Sequence, residues 1–181
     1  MKQVLRIIGG LYRGKKLHFP EVDGLRPTPD RVRETLFNWL MNDIRDARCL
    51  DAFAGSGALG LEAFSRGAAQ VVFIEHSSTA HHSLKKNIAE FNSQQLQLLN
   101  SDALRYMQQC KEPFDIIFLD PPFALNYIPQ CLNILAQYPV LRDGGLVYIE
   151  SANPIEIDPI QWENLKLKRA GQVFYGLFKK L

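Results

Sequence analysis

No apolar run in this 181-residue chain approaches the roughly 20 residues that span a bilayer. Cysteine is scarce. Cys49, Cys110 and Cys131 are odd in number and far apart, with no C-x-x-C pair and no Cys/His cluster. Neither a disulfide framework nor a zinc site is therefore supported, and a reduced, cytoplasmic protein without a metal is the economical reading. Glycine (12) and proline (10) are too few and too scattered for a collagen-like or low-complexity chain. No internal repeat is visible. The opening residues, MKQVLRIIGG, hold only a short apolar stretch cut by Arg6. With no small-residue cleavage site behind it, no secretory signal is expected. What is left is ordinary: 46% hydrophobic and 22% charged residues, in a length that suits one domain.

The net charge of +2 is unevenly spread. Residues 1–35 carry eight bases against four acids, residues 161–181 five against one, and the stretch between them eight against fourteen. Two ends of +4 thus flank a body of −6. This asymmetry suits a polyanion gripped by the ends, although solvated surface lysine and arginine produce it too. Residues 1–35 read as a basic arm of the same domain as residues 36–181.

The arm predicts a hairpin, with a strand over 4–8, a turn at Gly9-Gly10 and a return over 12–19. Thr28 then reads as a helix cap with Pro29 in the first helical position. From residue 49 the pattern becomes strand, glycine turn, helix, repeated. Strands are expected over 49–53, 70–75, 96–100, 114–119 and 145–150, and helices over 58–66, 78–91, 103–110 and 128–137. Such alternation implies an α/β fold with a parallel sheet covered by helices on both faces. Residues 165–169 and 172–179, joined at Ala170-Gly171, read as a closing hairpin.

The segment Asp51-Ala-Phe53-Ala-Gly55-Ser-Gly57-Ala-Leu-Gly60 follows a strand and opens a helix. Glycine lets a backbone approach a ligand, and a helix N-terminus adds partial positive charge. With Glu75 eighteen residues beyond Gly57, the spacing is that of a dinucleotide site. A tight turn with Gly60 serving helix packing would look the same. Asp51 would repel a diphosphate but can accept from a ligand ammonium, directly or through water. Glu75 can accept from ribose hydroxyls and Asp102 from an adenine amine, though Asp102 before Ala103 also suits a cap. Three carboxylates at successive strand ends point to the edge where open α/β sheets bind ligands. A ligand with adenine, ribose, ammonium and sulfonium fits them better than NAD.

Asp120-Pro121-Pro122-Phe123 follows the continuous apolar run over 114–119. Two prolines break the strand and remove two donors. The Asp120 carboxylate and Pro121 carbonyl are left as acceptors beside the Phe123 ring, a set that suits a planar exocyclic amine. His76, His81 and His82 read as a solvated helix face. Trp39 and Trp162 read as packing residues, and Tyr12 and His18 as packing or RNA-stacking residues.

Together, Asp51-x-Phe-x-Gly-x-Gly and Asp-Pro-Pro-Phe resemble the class I S-adenosylmethionine-dependent amino-methyltransferases. The arm sequence Arg26-Pro-Thr-x-x-Arg31-Val-Arg33-Glu-x-Leu-Phe-Asn38 narrows the resemblance to the bacterial 16S ribosomal RNA guanine-N2 methyltransferases of the RsmD type, over nearly the whole chain. The resemblance implies a Rossmann-like, mostly parallel seven-stranded sheet with an antiparallel C-terminal hairpin. It implies S-adenosylmethionine as cofactor, held by Asp51, Phe53, Gly55 and Gly57 at its methionine part, Glu75 at the ribose, and Asp102 with Ala103 at the adenine. Asp120, Pro121 and Phe123 would hold the target guanine. Arg6, Arg13, Lys15, Lys16, Arg26, Arg31 and Arg33 are the candidate contacts to 16S rRNA, within the small subunit or an assembly intermediate, and a monomer is expected. Rival readings are an amino-methyltransferase acting on DNA or a protein glutamine, an NAD-dependent oxidoreductase, and a non-catalytic RNA-binding assembly factor.

Overall fold

Short apolar strands alternating with helices build one large sheet in the computed structural model, which describes residues 2–181. In chain order the elements are β1 (Lys2–Arg6), β2 (Lys16–Pro20), α1 (Asp30–Trp39), β3 (Arg48–Asp51), α2 (Ala58–Ser65), β4 (Gln70–Ile74), α3 (Ser78–Ala89), β5 (Leu96–Leu99), α4 (Ala103–Gln109), β6 (Phe114–Leu119), α5 (Ile128–Gln137), β7 (Leu141–Ser151), β8 (Trp162–Ala170) and β9 (Val173–Lys180). The sheet runs β5-β4-β3-β6-β7-β9-β8. Its first five strands are parallel, and β9 and β8 return antiparallel. This is the Rossmann-like arrangement expected. The strand order reverses between β3 and β6, so Asp51 and Asp120 follow one another across the crevice where such sheets bind ligands.

Alternation along the strands sorts the side chains onto two faces. Cys49, Val71, Phe73, Ile116 and Phe118 pack with Leu36, Phe37, Leu61 and Leu84 of α1, α2 and α3. Leu50, Val72, Ile74, Ile117 and Leu119 pack with Met107, Cys131 and Leu135 of α4 and α5. The β1/β2 hairpin joins the first face: Leu5, Leu17 and Phe19 are buried there.

Several local expectations are corrected. The return strand begins at Lys16, not at residue 12, because residues 9–14 form a wide turn pinned to the end of α2: the Leu11 N–H donates to the Ser65 carbonyl (2.7 Å) and the Tyr12 N–H to Ser65 Oγ (2.9 Å). Tyr12 packs against Phe64 and Phe91. Thr28 does not cap α1. Pro29 occupies the cap position without a side-chain bond, and the threonine hydroxyl points elsewhere. The strand β7 begins at Leu141 and β8 at Trp162, earlier than polar residues such as Arg142, Asp143 and Glu163 suggest, because hydrogen bonding to a neighbour extends past the apolar stretch. From Glu163 to Arg169 every residue of β8 is exposed at the sheet edge.

Candidate active site

The turn after β3 is built by glycines with distinct tasks. Gly55 (φ +55°) and Gly57 (φ +80°) occupy the left-handed region, which other residues enter only at a cost. A Cβ on Gly55 would meet only Leu25 Cδ1, whereas one on Gly57 would run into Leu84, and one on Gly60 into the Phe73 ring. Gly55 is half-buried, with one flexible side-chain end against it. At Gly57 and Gly60 the space a side chain would need is already taken by packing neighbours.

Carboxylates surround this turn. Asp51 is 2% exposed and accepts from the Gly60 N–H (2.9 Å). Burial, aided by the charges of Glu75 and Glu150 and opposed by that N–H, pushes its carboxyl up to about 7. Glu75 accepts from the Gly55 and Ser77 N–H groups, one on each oxygen, both at 2.7 Å. Each oxygen keeps a second lone pair. Asp102 caps α4 through the Arg105 N–H (2.8 Å) and is otherwise exposed, with Ala103 buried behind it. Phe53 stacks on Tyr127 at 5.7 Å.

Across the crevice, Asp120 belongs to a group that sequence reading missed. The Thr28 hydroxyl donates to Glu150 Oε1 (2.7 Å) and lies 3.4 Å from Asp120 Oδ2. The Tyr148 hydroxyl donates to the same Glu150 oxygen (2.8 Å). Burial, then the charges of Glu150 and Asp51, hold Asp120 well above the usual carboxylate range, while the Thr28 hydroxyl opposes them. Burial likewise raises Glu150, against the hydroxyls of Thr28 and Tyr148 and its contact with Asp120. Glu150 carried a readable signal: it ends an apolar run, as Asp51 and Asp120 do. Thr28 carried none. Beyond Asp120, Phe123 opens a short 3-10 helix (Phe123–Leu125) and is 45% exposed. With Pro121, Tyr127, Glu150 and Asn153 it lines a narrow cleft.

The arm divides. Arg6, Arg13, Lys16, Arg26 and Arg31 are exposed. Lys15 pairs with Glu90 (3.0 Å) and lies over the Phe91 ring. Arg33 is corrected outright as an RNA contact. It is 1% exposed, and its guanidinium donates to the Thr28 and Arg6 carbonyls, to Glu62 and to Asp30. Among the described residues no group of His, Cys, Asp and Glu is arranged to hold a metal ion, and no helix is long and apolar enough to cross a membrane.

The donor set fits the cofactor the sequence suggests. The half-exposed glycine turn at Gly55 and acceptors on Asp51, Glu75 and Asp102 suit a ligand with an ammonium, ribose hydroxyls and an amino group. A diphosphate would meet acids instead.

Residues 5–179 match the family model described as conserved hypothetical protein 95. The chain is 46% identical to the ribosomal RNA small subunit methyltransferase D of Escherichia coli (strain K12), over 97% of this chain and 90% of that one. A solved Escherichia coli protein that carries a provisional description as a methyltransferase superposes with a TM-score of 0.91, at 45% identity and 98% coverage of both chains. A Thermus thermophilus 16S rRNA N2 G1207 methyltransferase, solved with AdoMet and guanosine, superposes with a TM-score of 0.72 at 26% identity, covering 99% of this chain and 50% of that one.

Proposed function

Because the chain belongs to the conserved hypothetical protein 95 family, and with it to the ribosomal RNA small subunit methyltransferases of type D, we propose that it transfers a methyl group from S-adenosylmethionine to the exocyclic N2 amine of a guanine in 16S rRNA. One observation carries the reading: the Asp120-Pro121-Pro122-Phe123 turn stands beside the Asp51 glycine turn across the point where strand order reverses. A methyl donor and a planar amine are thereby offered adjoining seats.

Asp51, Phe53, Gly55 and Gly57 would hold the methionine part of the cofactor, Glu75 the ribose, and Asp102 with Ala103 the adenine. The cofactor supplies an electrophilic methyl on a sulfonium. The chain supplies placement and acceptors. An exocyclic guanine nitrogen is a poor nucleophile because its lone pair is delocalised into the ring. Hydrogen bonds from the amine to Asp120 and the Pro121 carbonyl favour a pyramidal nitrogen whose lone pair is available, and the Phe123 ring supplies a stacking face for the base. The remaining acceleration comes from alignment and from fixed charge. A guanine in folded RNA must leave its stack to reach this cleft. Arg6, Arg13, Lys16, Arg26 and Arg31 would contact phosphates nearby, with the exposed Lys166, Lys168 and Arg169 of β8 a second basic surface.

The test is incubation of the protein with labelled S-adenosylmethionine and small-subunit particles from a strain lacking the activity. Label in N2-methylguanosine is the expected result. Label in another nucleoside, or binding of NAD in place of S-adenosylmethionine, would overturn it.

A further inference from the structure

In the arm motif Thr28 and Arg33 are buried, while Arg26 and Arg31 are exposed. Arg33 Nε donates to the Thr28 carbonyl (3.2 Å), and Arg33 Nη1 to the Arg6 carbonyl (2.9 Å) of β1. Thr28 stands between Pro27 and Pro29, whose rings restrict the backbone on both sides. It is buried. A buried arginine and two prolines thus fix one hydroxyl, and that hydroxyl reaches both carboxylates of the target cleft.

One hydroxyl carries one proton. It leans towards Glu150 at 2.7 Å and stays within reach of Asp120 at 3.4 Å, so it favours the ionised form of both carboxylates and leaves Asp120 able to accept. The Tyr148 hydroxyl anchors Glu150 from the other side. The ionisable groups that act on this pair are Asp51 from β3 and Tyr148 from β7, and no cation is among them.

We propose that Thr28 and Glu150 are positioning residues for Asp120, setting how its carboxylate faces the target amine and how readily it takes the amine's proton. The inference rests on the amine-methylating reading given above. As the nitrogen–carbon bond forms, the sulfonium carbon–sulfur bond breaks and sulfur keeps the electron pair. The proton leaving nitrogen passes to Asp120, and the product amine is neutral. Glu150 beside Asp120 opposes its ionisation and so makes it the stronger proton acceptor. The Thr28 hydroxyl opposes that effect and fixes the geometry.

Methylation of small-subunit particles should be measured from acid to alkaline pH for the wild type, Thr28→Val, Thr28→Ser and Glu150→Gln, together with thermal melting and S-adenosylmethionine affinity. Thr28→Val should lower kcat about ten- to hundredfold, the worth of one hydrogen bond to a charged group, with KM and cofactor affinity unchanged. Its acid limb should move to higher pH, because a group that favours ionised Asp120 is gone. Thr28→Ser should restore rate and profile. Glu150→Gln should move the acid limb the opposite way, to lower pH. The inference fails if Thr28→Val keeps the wild-type rate and profile, or if both variants shift the limb in one direction. If Thr28→Val does not fold, the Glu150→Gln profile decides alone. A wild type that labels no particle would instead sink the methyltransferase reading.

Discussion

Two groups of buried or half-buried carboxylates lie against this sheet, and the chain treats them oppositely. Glu62 on α2 is 0% exposed and fully partnered. It accepts from the Ile8 and Gly9 N–H groups and pairs with Arg33 and Arg66. Asp51, Asp120 and Glu150 are packed near one another at the crevice with hydroxyl and N–H donors but no cation. A buried charge is tolerated when paired and costly when not. The first group holds the structure together. The second keeps lone pairs able to meet a positive or proton-donating ligand, and acids with raised pKa gather at functional sites.

The contrast can be broken most severely at Glu62. Glu62→Ala strips Arg33 of its buried partner and should cost about 3–5 kcal/mol, read as a large fall in Tm; a melting curve unmoved from wild type would erase the distinction. Asp120→Ala should leave Tm and cofactor affinity in place while lowering kcat about a hundred- to a thousandfold. Equal loss of cofactor affinity would mean that Asp120 serves the other half of the crevice. Asp51→Asn tests the sign. Because the Asp51 carboxyl is raised to about 7, the folded state binds its proton more tightly than the unfolded chain does, so its contribution to stability falls as pH rises from the ordinary aspartate range towards 7. Asp51→Asn should flatten that decline and raise Tm at alkaline pH by about 2–4 °C per kcal/mol recovered, while weakening S-adenosylmethionine binding in calorimetry. The mildest change is Arg6, Arg13 and Lys16 to alanine together. Melting should be unaffected, unlike removal of Arg33, but KM for particles should rise and its salt dependence flatten as phosphate contacts are lost.

What was readable in the sequence was local. Residues 114–119 and 128–137 were bounded correctly because each apolar pattern is closed by proline or polar residues: Glu112-Pro113 and Asp120-Pro121 around the strand, Tyr138-Pro139 after the helix. Asp51, Glu75 and Asp120 were legible as acids at strand ends. The partners of those acids were not. Thr28 and Glu150 are 122 residues apart, Arg33 and Glu62 are 29 apart, and no spacing rule joins such pairs. Arg33 looked like an RNA contact because arginine in a basic arm normally is one, and only its burial against α2 reveals otherwise. At Gly57 the neighbour that stands where a side chain would go is Leu84, on a different helix, which the motif does not show.

The fastening of the hairpin to Glu62 has a mechanical consequence. The Ile8 and Gly9 N–H groups, the Arg6 carbonyl through Arg33, and the Ser65 contacts tie both β1 and the following turn to α2, so the exposed cations of the arm sit at set distances from the target cleft. A tethered arm would swing to meet whatever RNA arrived. With its cations on phosphates as proposed, this one would work as a caliper. For the proposed substrate, the misfit falls on the nucleic acid, which must bend and unstack to span the gap between arm and cleft, and an RNA already folded to that span spends less doing so. Recognition then measures shape as much as sequence.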